Sequence, residues 1–279
     1  MGRDRAAFSA SVAAFCLLAF APRVFPADSR DPLADARQLY NQGHFDAAVA
    51  AAGRARFAPG RPGRPADQAI GDQADLIAAR AYLERFRAGT TADDLAAARE
   101  RLRRLDPARF SPRERIEFLV GLGETLYFDE AYGAAADLFG SVLESRDGID
   151  AGARDRVLDW WASATDRDAR GKSDAERQAL YQMIRNRMRE ELATHAGSGA
   201  ASYWLVSAAR SQGDMQAAWD SAEAGWARAS LAIDHGIALR ADLDRLMLQG
   251  VVLNRATQTS QSVDALRAQW EDFKARWKN

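Results

Sequence analysis

Gly213-Asp214-Met215-Gln216-Ala217-Ala218 separates two runs of helical periodicity, Ala200 to Gln212 and Met215 to Ala229. Upstream, Gly43-His44-Phe45-Asp46-Ala47-Ala48 makes the same kind of break between Asp31 to Asn41 and Asp46 to Phe57. Further pairs read as Ala74 to Phe86 with Ala92 to Leu105, Pro112 to Phe128 with Ala131 to Glu144, and Ala153 to Asp166 with Asp174 to Thr194. Ser173 and Glu176 fit a capping box at the start of the last of these. Ile237 to Thr257 and Ser262 to Trp277 form a terminal pair. Nothing alternates convincingly like a strand. The inter-helix turns at Gly43, Gly89, Glu130, Gly171 and Gly213 lie between 41 and 46 residues apart, which signals a repeat rather than an arbitrary bundle.

At these turns the sequence resembles the tetratricopeptide repeat (TPR) family. That family places a small residue midway along the first helix, Gly-Asp-Tyr-x-x-Ala at the turn, and a small or aromatic residue four positions later. Ala36, residues 43–48, Ala52 and Ala55 follow this pattern, as do residues 213–218 with Ala222 and Gly225. Gly123-x-x-Leu126, Tyr132-x-x-Ala135 and Phe139 make a third copy, in which Glu130 stands where glycine is expected. Small residues at these places let helices approach closely, and the aromatic fills the gap between neighbouring pairs. The spacing exceeds the family's repeat of about 34 residues. The resemblance implies an all-α, right-handed superhelix of five to six antiparallel helix pairs over residues 28–230, capped by the C-terminal pair at residues 231–279.

Composition agrees with helices. The chain holds 59 alanines, and only three of its 38 basic residues are lysines (Lys172, Lys274 and Lys278). A net charge of −1 excludes a nucleic-acid binder that works by bulk electrostatics. One cysteine excludes a disulfide scaffold and any zinc site that needs two or more cysteines.

Residues 1–27 read as an export signal. Arg3 and Arg5 precede a 16-residue uncharged apolar run from Ala6 to Ala21, shorter than the roughly 20 residues of a membrane span. Cleavage is expected after Ala27, with Ala21 as the alternative. Lipidation at Cys16 and an uncleaved anchor helix are the competing readings. Without the leader the chain carries 35 basic and 38 acidic residues and no cysteine, which suits an oxidising compartment. Arginine in place of lysine, together with the alanine excess, is in keeping with a GC-rich bacterial coding sequence. The expected address is therefore periplasmic or secreted.

Catalytic motifs are missing. His44, His195 and His235 are too dispersed to pair along a helix, so no metal is expected. Gly171-Lys172-Ser173 matches only the end of a P-loop, because the first glycine is replaced by Asp166. Glu117, Glu124 and Glu130 read as the wet side of a helix. No compact catalytic domain follows the helices, as one does in soluble lytic transglycosylases, and no Gly-x-Ser-x-Gly elbow occurs. Arg54, Arg56, Arg61 and Arg64 form a basic stretch over residues 54–64, read as a solvated connector, with docking on an anionic surface as the alternative. Arg185, Arg187 and Arg189 do not share one helix face. All seven tryptophans fall in the C-terminal half, where core packing is the default and an aromatic groove the alternative.

Carrying the TPR groove positions onto the matching repeats implies Arg37, Tyr40 and Asn41 from the first pair, Glu117, Glu124, Tyr127 and Phe128 from the third, and Tyr203 and Arg210 from the fifth. Leu33 and Arg37 occupy the positions where the carboxylate-clamp version needs Lys and Asn, so chaperone-tail binding is not expected. The expectation is an exported, non-enzymatic scaffold without cofactor that holds a peptide or an envelope protein in its groove. The alternative is a transporter-associated protein that handles a small solute.

Overall fold

The computed structural model describes residues 31–57, 65–89, 91–145 and 149–277. The export signal and residues 58–64 of the basic stretch lie outside the described residues. Every regular element among the described residues is helical. In order these are α1 (Pro32–Asn41), α2 (Phe45–Arg56), α3 (Pro65–Gly89), α4 (Ala92–Arg104), α5 (Pro112–Phe128), α6 (Tyr132–Glu144), α7 (Ala151–Ala169), α8 (Asp174–Thr194), α9 (Gly199–Ser211) and α10 (Met215–Arg228). The helix α11 (Ile237–Leu246) passes through a π turn at Met247–Val251 into α12 (Val252–Gln258), and α13 (Val263–Arg276) follows.

The helix ends follow the local chemistry. Ser111 with Glu114, and Ser173 with Glu176, form reciprocal capping boxes that satisfy free N–H groups at the starts of α5 and α8. Asp150 and Asp214 accept from Ala153 N at 2.8 Å and Ala217 N at 3.0 Å. The helix stops at Gly43, Glu130 and Gly213 are the same motif, and each of these residues is left-handed, with φ of 77°, 61° and 82°. In each, the left-handed residue donates to a carbonyl three residues back and the next residue to one five back. The pairs are Gly43 to Tyr40 with His44 to Leu39, Glu130 to Tyr127 with Ala131 to Leu126, and Gly213 to Arg210 with Asp214 to Ala209. Gly89 and Gly171, chosen as turn markers by spacing, are not left-handed. The chain turns there toward a helix started by Thr91 or by the Ser173 box.

The third helix is longer than its periodicity suggests. It begins at Pro65 rather than Ala74 and runs 25 residues. A proline at the first turn costs no hydrogen bond, because that N–H has no partner in any helix.

Each helix packs on the next one. The odd-numbered helices also touch one another in sequence, α1 on α3, α3 on α5, α5 on α7, α7 on α9 and α9 on α11, whereas α2 to α10 lean mainly on their odd neighbours. The first core is built almost entirely of alanine: Ala36, Ala51, Ala52, Ala55, Ala74 and Ala78 are buried around Ile77. Larger side chains take over further along, with Phe139, Leu158, Trp161 and Ile184 in the middle. Trp219, Leu243, Met247 and Trp270 lie at the far end, so α11 to α13 share one core with α9 and α10. Between α5 and α6 the approach is close at Gly123, where a Cβ would stand 2.6 Å from the Phe139 ring. Gly123→Ala should therefore destabilise the protein by about 1–3 kcal/mol in urea unfolding, as overpacking does; a cost near zero would mean that α5 and α6 can move apart freely.

Candidate functional site

Two open cavities lie along the odd-numbered helices. The first, of ≈630 Å³, is walled by α1, α3, α5 and α7. The second, of ≈670 Å³, lies between α7, α9, α11 and the connection after α10. Arg87, Arg156 and Trp160 line both, so the two form one strip.

Arg37, Tyr40, Asn41, Glu117 and Glu124 all line the first cavity. Arg37 pairs with Glu114 at 3.5 Å and Arg113 with Glu117 at 3.3 Å. At the floor the Arg80 guanidinium lies over the Tyr40 ring, 5.7 Å from its centroid, and donates to the Glu117 carbonyl at 3.4 Å. Arg80 Nε stands 4.0 Å from Glu124 Oε2, too far for a hydrogen bond, and neither atom has a hydrogen-bond partner among the described residues. Glu124 is only 2 % exposed, and burial pushes its carboxyl above the usual range in spite of the Arg80 charge.

Trp160 joins the cavities. Its ring lies 4.9 Å from Tyr127, 5.7 Å from Phe128 and 5.9 Å from Phe139, and the Arg87 guanidinium covers it at 5.2 Å. The Tyr127 hydroxyl hydrogen-bonds Ser163 Oγ at 2.9 Å. Tyr127 and Phe128 line neither cavity. They brace Trp160 from behind instead.

Tyr203 lines the second cavity. Asp159 beside it accepts from Trp204 Nε1 at 2.7 Å, and burial raises its carboxyl even so. Burial also raises the Tyr203 phenol, with the charges of Asp242 and Asp159 adding to the effect. Arg154 grips Glu191 through Nε and Nη2, each 2.9 Å from a carboxylate oxygen, and donates from Nη1 to the Leu143 carbonyl at 2.9 Å. Arg210 lies apart from both cavities, against the π turn, where a Cβ on Gly250 would stand 2.7 Å from its Nε.

Sequence reasoning missed Arg87, Arg156, Asp159 and Asp242, and took Trp160 only as one of the seven tryptophans. The cluster of tryptophans was the only signal pointing to any of them. Trp161, Trp204, Trp219 and Trp270 are core residues, while Trp277 is exposed. Among the described residues no group of His, Cys, Asp and Glu side chains is placed to hold a metal ion, and no helix is long and apolar enough to cross a membrane.

Glu191→Gln keeps the side-chain shape but removes the counter-charge of Arg154, and should cost about 2–3 kcal/mol near neutral pH. Burial opposes ionisation of Glu191, yet the Arg154 hydrogen bonds win and hold its carboxyl below the ordinary value. The stabilisation is therefore present above the ordinary glutamate pKa and lost as pH falls through the lowered one. Urea unfolding across that range should show the gap between wild type and variant closing in acid; a gap independent of pH would assign the loss to packing. No protein-family model matches the chain, and comparison with curated proteins and with solved structures finds no similar protein.

Proposed function

We propose that the protein is an exported, non-enzymatic scaffold, a TPR-like α-solenoid that holds an extended peptide or a segment of an envelope protein along its odd-numbered helices. The continuity of the two cavities through Arg87, Arg156 and Trp160 carries this reading. A strip crossing α1, α3, α5, α7, α9 and α11 suits an extended chain, with hydrogen bonds setting register and aromatic rings supplying burial. The ion pairs along it favour binding over catalysis. Arg37, Arg113, Arg154 and Glu191 are each tied to a partner, which leaves them poor acids, bases or nucleophiles.

A second reading, capture of a small solute, is favoured by the ≈670 Å³ of the second cavity, within the range of about 300–1,000 Å³ typical of small-ligand sites. One set of measurements separates the two. A photo-cross-linking residue at 156 or 203 should give adducts with the same polypeptide in envelope extracts, and one at Asp220 on the exposed side of α10 should give none. Arg156→Glu should reduce that capture by about tenfold with an unchanged melting temperature. A gain of several degrees in melting temperature with one sugar, organic acid or lipid, together with no polypeptide adduct, would overturn the scaffold and support the solute reading.

A further inference from the structure

We infer that the protein carries a separate docking groove, between α6 and α8, for an extended uncharged segment of polypeptide whose carbonyl oxygens accept hydrogen bonds from its floor. The groove, of ≈780 Å³, runs over α7 and shares no lining residue with the strip on the odd-numbered helices.

Its floor is built around Trp161. Trp160 faces the strip, and the next residue along α7 lies in this groove instead. Trp161 is only 4 % exposed, yet its indole N–H donates to nothing among the described residues and is not sealed from solvent. An indole N–H this deep ordinarily finds an acceptor. The other tryptophans buried to the same degree do so: Trp204, Trp219 and Trp270 donate to Asp159, Glu223 and Asp244 at 2.7, 2.8 and 2.9 Å. The Arg187 guanidinium covers the Trp161 ring, 4.9 Å from its centroid, and has no hydrogen bond or ion pair among the described residues. Burial holds it below the usual arginine range although Glu144 and Glu190 pull the other way. Two neighbouring donors on the floor therefore lack acceptors.

Glycine leaves the way to them open. A Cβ on Gly140 would stand 3.5 Å from Trp161 Nε1, an ordinary contact, so packing does not require glycine there as it does at Gly123. In the interior of α6 alanine is the more stable residue. What alanine would take away is the opening over the indole N–H.

Charge and length identify the occupant. Asp137, Glu144 and Glu190 line the groove without an ion pair among the described residues, and Asp168 is held by Lys172 at 3.4 Å. A phosphate or an acidic side chain would enter among these carboxylates, and a basic side chain would meet Arg187 at the floor. A carbonyl oxygen accepts from both donors and brings no charge. The lining runs from Gly133 to Glu144 on α6 and from Ala179 to Glu190 on α8. At about 1.5 Å per residue each wall is about 16 Å long, the reach of about five residues of extended chain. Such a chain presents carbonyls along its whole length, and Met183, 43 % exposed on the α8 wall, is a side chain that adapts to what lies against it.

Two-dimensional NMR of the indole N–H groups tests this on the purified protein, the Trp161 resonance being identified by its loss in Trp161→Phe. The probes are three pentapeptides with blocked ends: one of Ala and Gln, one with two Lys added in place of Gln, and one with two Glu. The Ala/Gln peptide should move the Trp161 resonance saturably and bind at least about fivefold more tightly than either charged peptide. Gly140→Ala should abolish that shift while the melting temperature holds or rises, and Arg187→Gln should weaken binding by about fivefold. Equal or tighter binding of the Lys or the Glu peptide would overturn the uncharged occupant. N-methylacetamide binding as tightly as the pentapeptide would overturn the polypeptide and leave a site for a lone carbonyl compound. A Trp161 resonance that no probe moves, or a shift that persists in Gly140→Ala, would overturn the groove itself. The strip is read separately, by cross-linking from 156 and 203.

Discussion

The left-handed stops at Gly43, Glu130 and Gly213 impose the constraint on which the rest of the structure depends. A helix leaves its last carbonyls unpaired, and these three ends satisfy two of them with the N–H groups of the turn itself. The chain reverses without a loop, so the next helix starts one or two residues later and lies back on the one before it. Neighbours in sequence become neighbours in space, and the odd helices are left to meet one another in a second set of contacts. Glycine takes the left-handed conformation without strain. Glu130, at φ 61°, does not, and its backbone stores about 1–2 kcal/mol that the packing of α5 on α6 offsets.

That constraint also decides what was legible in the sequence. Gly43 and Gly213 announce the reversal by residue type, whereas Glu130 was found by its distance from them and by Gly123, Tyr132, Ala135 and Phe139 around it. Helix identity could be read because apolar periodicity records burial directly. The first turns of α3 could not, since the sequence from Pro65 lacks a strong apolar face. Arg37, Tyr40, Asn41, Glu117 and Glu124 line one cavity because α1 and α5 each present one face to it. Tyr127 and Phe128 sit on the expected helix but turn toward Trp160, where ring-on-ring packing offers more than solvent does.

The preference for arginine over lysine has a structural use here, whatever its origin in composition. Arg80 lies over Tyr40, Arg87 over Trp160, Arg187 over Trp161 and Arg255 over Trp219. A planar guanidinium can cover a ring with its face while its edge donates hydrogen bonds, which a lysine ammonium cannot do. Each such arginine fixes a ring and a charge together, and Arg80 on Tyr40 and Arg87 on Trp160 do so in the walls of the two cavities.

Rigid walls divide the charges of the strip into two kinds. Those already paired, such as Arg37 with Glu114, Arg113 with Glu117 and Arg154 with Glu191, shape the surface and favour no occupant, because a ligand that displaced one partner would strand the other. Those left unpaired respond to whatever arrives. Along most of the strip the first kind prevails, which makes it tolerant. Where the two cavities meet, Arg156 is of the second kind, with no carboxylate partner among the described residues. Selectivity is a difference between occupants, and only uncommitted groups can supply that difference.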